Sequence, residues 1–507
     1  MSSDLKDLLL RSSNAMDSAP PHMQASEHPI RVAIIQPPVS EGVQSLLSHV
    51  DNDGGEGIGH KPPLGILFVA SMIKARSPHE VLVIDAQASG MSVEMAVSEL
   101  RAFDPHIVGI SVWTDFWYPA RLLASNLKQA LPNTHICMGG PHVGIFPHET
   151  LKSGVADSVI VGDGEVPFLY LCNMIANKSL DNSLPGLHLS EFGVKEGGEL
   201  FYIHEDLDGL PRPDRTLLPL TAYGSVLAKD TLVTTMITSR GCPHKCTFCK
   251  LNFQKNIARS AQSIIEEFRE IHALGIREIE IYDDTFTWSR KRLREICEGL
   301  IAENLNVEWA VRDRVSSSSV DDDLLELMYK AGCRRIHFGI ESGVQNIIDG
   351  MKKRITLQQA QNAVEMAKQA GMTVLTYFMF GNEDETVEDM KATIDFAISL
   401  NADYAQFSIT IPYAGTELYL NALENGTIGY DYWKEYAENP TANFLPPKII
   451  EEHASLDTLL EIRDEAVKRF YFRPRYVLRE LFNLGSFTEF QRKARMGMQL
   501  AQSVYIK

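Results

Sequence analysis

A chain of 507 residues, 44% apolar and 22% charged, is long enough for about three domains, and those proportions exclude a fibre or a largely disordered polymer. Lys and Arg number 48 against 66 Asp and Glu; the resulting −18 argues against general affinity for nucleic acid or an anionic membrane, while leaving room for a local basic patch. Seven cysteines, few and odd in number, disfavour a disulfide scaffold and fit a reduced, cytoplasmic setting.

No apolar run approaches the roughly 20 residues of a membrane span, so no transmembrane segment is expected. The opening MSSDLKDLLLRSSNAMD mixes acids with bases and lacks a secretory pattern. Residues 1–29 are expected to form a flexible tail. Residues 30–178 alternate strand-like runs (RVAIIQ, VLVID, IVGISV, HICMGG, SVIVG) with amphipathic helical stretches, which predicts a doubly wound parallel sheet. Residues 179–230 break that rhythm; SLPGLHL and ELFYI predict a small hairpin, and the proline-rich LDGLPRPDRTLLPL an irregular linker.

Residues 231–425 resume the alternation with LVTTMITS, EIEIYDD, VEWAVR, RIHFGIE, TVLTYFMFG and YAQFSITI. Six strands, each followed by a helix, predict a partial (β/α)6 barrel with its ligand at the C-terminal strand ends. Residues 426–507 predict a helical C-terminal region. Tyr430, Tyr432, Trp433 and Tyr436 there suit either a packed core or an apolar cavity.

The sharpest chemical signal is GCPHKCTFCK, which places Cys242, Cys246 and Cys249 in a C-x3-C-x2-C spacing directly after LVTTMITS. Three thiolates in eight residues can wrap one soft metal centre. A structural zinc site would need a closed fourth position, for which His244 or a distant cysteine is the candidate. A four-iron cluster on three cysteines leaves one iron open. Cys137, Cys172, Cys297 and Cys333 sit in apolar contexts and are expected in the core.

This spacing at the end of the first strand of a βα series resembles the radical S-adenosylmethionine (SAM) superfamily. The resemblance implies a [4Fe-4S] cluster whose open iron binds SAM, and reductive cleavage of SAM to a 5′-deoxyadenosyl radical. It carries Phe248 over to the adenine, Asp284 (in Asp283-Asp284-Thr285) to the SAM amino group, Glu341 of GIESG to the ribose, Gly381 of GNEDET to a glycine-rich SAM segment and Arg312 to the SAM carboxylate. Three of these have a plain alternative: core packing for Phe248, a helix cap for Asp284 or Thr285, a surface ion pair for Arg312.

The region upstream resembles the cobalamin-binding domain that precedes many radical SAM domains. The matching loops are QPP, KPPLGILFVAS, SVWT, GGPH and GDGE. They carry Gln36, Gly65, Ser111, Thr114, Gly139, Gly140, His142, Gly162 and Glu165 over as cobalamin contacts, at the ligand edge of an open α/β sheet. Gly139 and Gly140 would let the backbone approach the ligand closely. The loop QPPVSEGVQ lacks the histidine with which some relatives ligate cobalt, which implies base-off cobalamin with no axial histidine there. A lone histidine such as His142 suits packing as well as ligand contact.

Together the two regions resemble cobalamin-dependent radical SAM enzymes, including the anaerobic magnesium-protoporphyrin monomethyl ester cyclase and class B methyltransferases. The implied activity is methyl transfer to an unactivated carbon through a 5′-deoxyadenosyl radical and methylcobalamin. The alternatives are an oxidative cyclase or rearrangement enzyme, and a non-catalytic cobalamin carrier or sensor. The implied partners are a small-molecule substrate and a reducing system such as flavodoxin or ferredoxin, with no nucleic acid. No catalytic proton donor is identified.

Overall fold

The computed structural model describes residues 28–39, 60–225, 227–228, 232–251, 255–314, 321–442, 451–482 and 497–498. Nearly all of the expected tail, and the loop after Val39, lie outside the described residues. The chain divides into two compact units. Among described residues the first takes 28–39, 62–222 and 432–442, and the second takes 60–61 with the described parts of 223–431 and 451–498.

The first unit is built on a six-stranded sheet: β1 (Arg31–Gln36), β2 (Glu80–Asp85), β3 (Ile107–Ser111), β4 (His135–Gly139), β5 (Ser158–Ile160) and β6 (Leu187–Leu189), in the order β2-β1-β3-β4-β5-β6. β1 to β5 run parallel; Ile34 pairs with Val83 on one side and Gly109 on the other. Their continuous apolar runs are explained by burial on both faces. The helix Leu64–Arg76 buries eight side chains around most of its circumference, as a core helix does.

β6 differs from expectation. Leu187–Leu189 pairs antiparallel with β5, and Tyr202 bridges Gly162, so this segment extends the first sheet instead of forming a separate hairpin. Its physical reason is the exposed ladder of β5, which an added strand satisfies.

The second unit carries an all-parallel sheet of β7 (Val233–Met236), β10 (Glu278–Ile281), β11 (Glu308–Arg314), β12 (Cys333–Glu341), β13 (Thr373–Phe380) and β14 (Tyr404–Ile409), in the order β14-β13-β12-β11-β10-β7. These are the six strands read from the sequence. Ile279, Ile281, Trp309, Val311, Ile336, Phe338, Ile340, Phe378 and Phe380 are buried under the helical layer. The alternate residues face inward and many are charged.

Ser260, Ser289, Asp321, Thr356 and Thr386 cap the helices that follow, each accepting a backbone N–H, worth about 1 kcal/mol apiece. A short antiparallel ribbon of β8 (Ser239–Arg240) and β9 (Ile257–Ala258) closes the base of the loop that bears the three cysteines.

The C-terminal region is helical where described. The helix Leu456–Tyr471 covers edge strand β14: the Tyr471 hydroxyl donates to the Ala405 carbonyl at 2.7 Å and accepts the Ala405 N–H at 3.0 Å. The helix Tyr432–Glu438 belongs to the first unit. Trp433 is fully buried there, the Trp117 indole donates to the Ala437 carbonyl at 3.0 Å, and the Tyr436 hydroxyl accepts from Tyr118 N. Trp433 and Tyr436 therefore serve the packed core, one of their two expected roles.

Candidate active site

The cysteine loop is held from below. Asp283, at the end of β10, accepts from Thr238 N at 2.6 Å, Thr238 Oγ1 at 2.5 Å and Ser239 Oγ at 2.7 Å. Arg292 joins them by donating to the Thr238 carbonyl at 2.8 Å. Asp283 is thus consumed as an internal clamp, which leaves Asp284 as the carboxylate nearer the surface. Asp284 Oδ2 accepts from Gly241 N at 2.8 Å, and Thr285 Oγ1 lies 3.2 Å from Cys242 Sγ. Gly241 has φ +82°, the left-handed turn from which Cys242 enters the loop.

All three cysteines are free thiols, and Cys249 is the most exposed. Burial of its sulfur, followed by the charges of Cys246, Asp284 and Cys242, pushes the Cys249 thiol up to about 11. Sulfurs arranged to repel one another as thiolates are relieved by a bound cation. The three sulfurs do not all lie within 4.8 Å of one another. His244, the fourth ligand a zinc site would need, meets the Trp288 ring edge-on at 6.0 Å.

The strand ends around this loop are firmly determined. Glu341, at the end of β12, has φ +78°, a strained value for a residue with a side chain. Its Oε1 accepts from Lys353 Nζ at 2.5 Å, both groups buried, and Lys353 lies 5.7 Å from the Phe248 ring centroid. Gly381 has φ +79°, and a Cβ there would stand 2.9 Å from Leu459. Its N–H, with the backbone N–H and side-chain amide of Asn382, is gathered by Glu385 Oε2 at 2.8 to 3.0 Å. Burial pushes the Glu385 carboxyl up to about 7, and its Oε1 has no hydrogen-bond partner. Arg312 reaches open space from β11. It stacks over the Tyr282 ring at 4.3 Å and donates to the Tyr282 hydroxyl at 3.2 Å.

The inner face of the second sheet bears a network that sequence reasoning missed. Arg335 pairs with Glu278 at 3.3 Å and Glu280 at 2.9 Å, and Lys61 stands 3.6 Å from Glu280. Burial alone would raise the Glu280 carboxyl; Lys61 and Arg335 outweigh it and hold it at about 2. Arg335 Nε donates to His337 Nε2 at 3.0 Å, so the neutral imidazole must carry its proton on Nδ1, which donates to the Tyr377 hydroxyl at 2.8 Å. Burial, then Arg335 and Arg312, keeps His337 well below its ordinary range. The Tyr377 hydroxyl hydrogen is left to donate elsewhere. The alternating EIEIYDD hinted at Glu278 and Glu280, but their partners lie more than 50 residues away.

In the first unit, Gln36, Ser111, Gly139, Gly140 and Gly162 stand at or just beyond the C-terminal ends of β1, β3, β4 and β5. The order places the switch between β1 and β3, where open α/β sheets take ligands. Thr114 is buried, and Trp113 beside it is 53% exposed. No atom lies within 4 Å of a Cβ built on Gly65.

Three assignments change meaning. A Cβ on Gly140 would stand 2.8 Å from the Val112 carbonyl oxygen, and one on Gly162 would stand 2.1 Å from that of Tyr202. Both glycines, at φ +100°, clear the protein's own backbone. The Gly139 position is not so crowded; its nearest atom would be Ile160 O at 3.7 Å. His142 is fully buried, stacked on Trp117 at 4.6 Å, and neither ring nitrogen has a partner. It packs against Trp117 in the core. Glu165 begins the helix Glu165–Asn177 and is buried.

Comparison with known proteins bears on both units. Residues 236–397 match the radical SAM superfamily and residues 58–171 the B12 binding domain. An uncharacterized methyltransferase of Pyrococcus horikoshii is 32% identical over 458 residues, covering 89% of this chain and 95% of its own. The chain belongs to the cobalamin-dependent radical SAM enzymes. The anaerobic magnesium-protoporphyrin IX monomethyl ester cyclase of Rubrivivax gelatinosus is 26% identical, over 72% of this chain and 67% of the cyclase. The methyltransferase TsrM of Kitasatospora setae, solved with cobalamin and a [4Fe-4S] cluster, shares the fold: TM-score 0.68 at 15% identity, covering 93% and 99% of the two chains. The family's cofactors are a [4Fe-4S] cluster, SAM and cobalamin. Three free cysteines on one loop, and strand-end positions at the switch of a doubly wound sheet, fit that set. No described helix is long and apolar enough to cross a membrane.

Proposed function

We propose that this radical SAM enzyme transfers a methyl group to an unactivated carbon of a small molecule. What supports this reading is the 32% identity, over 95% of its length, to a protein named an uncharacterized methyltransferase, with cyclases matched at 24 to 26% identity over 67 to 84% of theirs. When bound, the cofactors supply a radical that removes hydrogen and a methyl group to replace it.

In this reading Cys242, Cys246 and Cys249 hold the cluster. Asp284, Arg312, Glu341, Gly381 and Phe248 orient SAM. Gln36, Gly65, Ser111, Thr114, Gly139 and Glu165 border cobalamin, while Gly140, Gly162 and His142 shape its sheet. Asp283 and Arg292 keep the cysteine loop in register, and the ion pair to Glu341 holds Lys353 over the Phe248 ring. Tyr377, with its direction set by His337, offers a hydrogen-bond donor to whatever occupies the inner face.

The test is anaerobic incubation of reconstituted protein with SAM bearing a trideuterated methyl group and candidate metabolites. A product heavier by one labelled methyl, with 5′-deoxyadenosine formed alongside, is expected. Loss of hydrogens without label would favour the cyclase reading. No 5′-deoxyadenosine with any candidate would favour a carrier or sensor.

A further inference from the structure

The inner wall of the second sheet offers more hydrogen-bond donors than acceptors. Its carboxylates are already engaged: Arg335 bridges Glu278 and Glu280, Glu280 also meets Lys61 and accepts from the Tyr282 hydroxyl at 2.9 Å, and Glu341 holds Lys353. Three cations, Arg312, Arg335 and Lys61, therefore stand against two carboxylates, Glu278 and Glu280, with His337 neutral between them.

Arg312 is the cation left over. Its guanidinium lies over the Tyr282 ring at 4.3 Å and donates one N–H to the Tyr282 hydroxyl, which fixes its direction. It forms no ion pair among the described residues, so most of its N–H donors are unused. Arg312 is also exposed, although β11 has strand neighbours on both sides. An inward side chain on a central strand is exposed only where the wall opens on accessible space.

Tyr377 stands on the same wall. Register sets Arg312 level with His337, and Gly339, two residues on, level with Tyr377 and the exposed Gln406. His337 donates to the Tyr377 oxygen, so the hydroxyl hydrogen has to find another acceptor. Burial pushes the Tyr377 hydroxyl up, and the strongest charge opposing that push is Arg312, which places the two groups in each other's field. A guanidinium fork matches the paired oxygens of a carboxylate or phosphate, and a surplus of donors is satisfied by a ligand that brings acceptors.

We infer that Arg312 and Tyr377 bind a carboxylate or phosphate group of the substrate. The inference deepens the methyl-transfer reading and rests on it for the substrate's presence at this wall. SAM brings a carboxylate of its own, but Glu341 and Gly381, given to SAM, stand at the rim, as the last residue of β12 and the first past β13. Arg312 lies two residues inside the end of β11 and Tyr377 three inside the end of β13, where a second ligand fits. Arg335, which serves two carboxylates, shows that one guanidinium can take more than one oxyanion here.

The test uses full-length protein loaded with cluster and cobalamin, with inorganic phosphate and acetate as probes and their NMR line broadening as the readout. At least one probe should bind the wild type while SAM is saturating. That affinity should fall roughly tenfold or more in Arg312→Gln and about fivefold in Tyr377→Phe, the worth of a charged and of a neutral hydrogen bond, with partial recovery in Arg312→Lys. Tyr377→Phe should leave SAM affinity, read by equilibrium dialysis, within twofold of the wild type. A small-molecule extract split on an anion exchanger and given SAM with a trideuterated methyl group should take label in the retained fraction. Probes that bind only without SAM would give the oxyanion to the SAM carboxylate and overturn the assignment to substrate. No probe binding, binding that both substitutions leave unchanged, or label confined to the unretained fraction would overturn it too, with methyl transfer still standing. Hydrogen loss without label in the retained fraction would sink methyl transfer instead and leave the oxyanion site in place.

Discussion

The two sheets reach their ligand edges by different physical means. In the first unit the strand-end loops are shaped by backbone crowding: Gly140 passes Val112 and Gly162 passes Tyr202 at distances no side chain tolerates. In the second unit Asp283 clamps the cysteine loop at that edge, and the inner face behind it, from the N-terminal end of β10, is held by charge: Arg335, Glu278, Glu280, Lys61 and His337 interlock there. The first arrangement is intolerant of added volume, and the second of lost charge. Substitutions should therefore fail in opposite ways in the two halves.

Gly162→Ala carries the largest expected effect. Its Cβ would meet a backbone oxygen at 2.1 Å at φ +100°, and neither party can move cheaply. A loss of more than about 4 kcal/mol is expected, with loss of cobalamin binding, read by chemical unfolding and by retention of cobalamin on gel filtration. A G162A protein of wild-type stability would remove the crowding argument.

Arg335→Met comes next. It takes the shared guanidinium from two carboxylates whose side chains are 5 and 6% exposed, Glu280 keeping Lys61 and the Tyr282 hydroxyl, at an expected cost of about 3 kcal/mol. Adding Glu278→Gln and Glu280→Gln should recover part of that loss. No recovery would mean that Arg335 acts through packing, not charge.

Glu385→Gln sharpens the comparison through pH. The folded carboxyl sits at about 7 against an ordinary 4.5, so the folded state holds its proton more tightly. Its stabilising contribution is full below about 4.5 and is lost as pH rises to about 7 and beyond. The E385Q protein should lack that decline, measured as unfolding free energy across this window.

His142→Phe is the mildest. Burial pushes the imidazole down to about 3, and neither nitrogen is satisfied. Phenylalanine keeps the stack on Trp117 and removes two desolvated nitrogens, so stability should rise by about 1 kcal/mol with cobalamin affinity unchanged. For a depressed histidine, stability is present above about 6.5 and falls as pH drops toward about 3. The H142F protein should lose that slope, and a large drop in cobalamin affinity would restore His142 as a contact.

Much of this was legible beforehand because buried parallel strands write themselves as continuous β-branched runs: all six strands of the second sheet and the first five of the first were read directly. The cysteine spacing was legible because three ligands to one centre must be close in sequence when one short loop supplies them. What stayed hidden depends on distant partners. Leu187–Leu189 looks like half of a hairpin until β5 offers it an edge. Gly140 of GGPH and Gly162 of GDGE look like room for a ligand until the Val112 and Tyr202 carbonyls are seen beside them. Nothing in GNEDET singles out Glu385, and only its burial and its hold on the Gly381 and Asn382 N–H groups set it apart.

The central claim is most directly tested by iron and sulfide content, measured on anaerobically reconstituted protein together with 5′-deoxyadenosine release from SAM under reduction. About four irons and four sulfides per chain are expected in the wild type, and loss of both cluster and nucleoside in Cys242→Ala, Cys246→Ala and Cys249→Ala. A single zinc per chain, or an alanine variant that still cleaves SAM, would contradict the account.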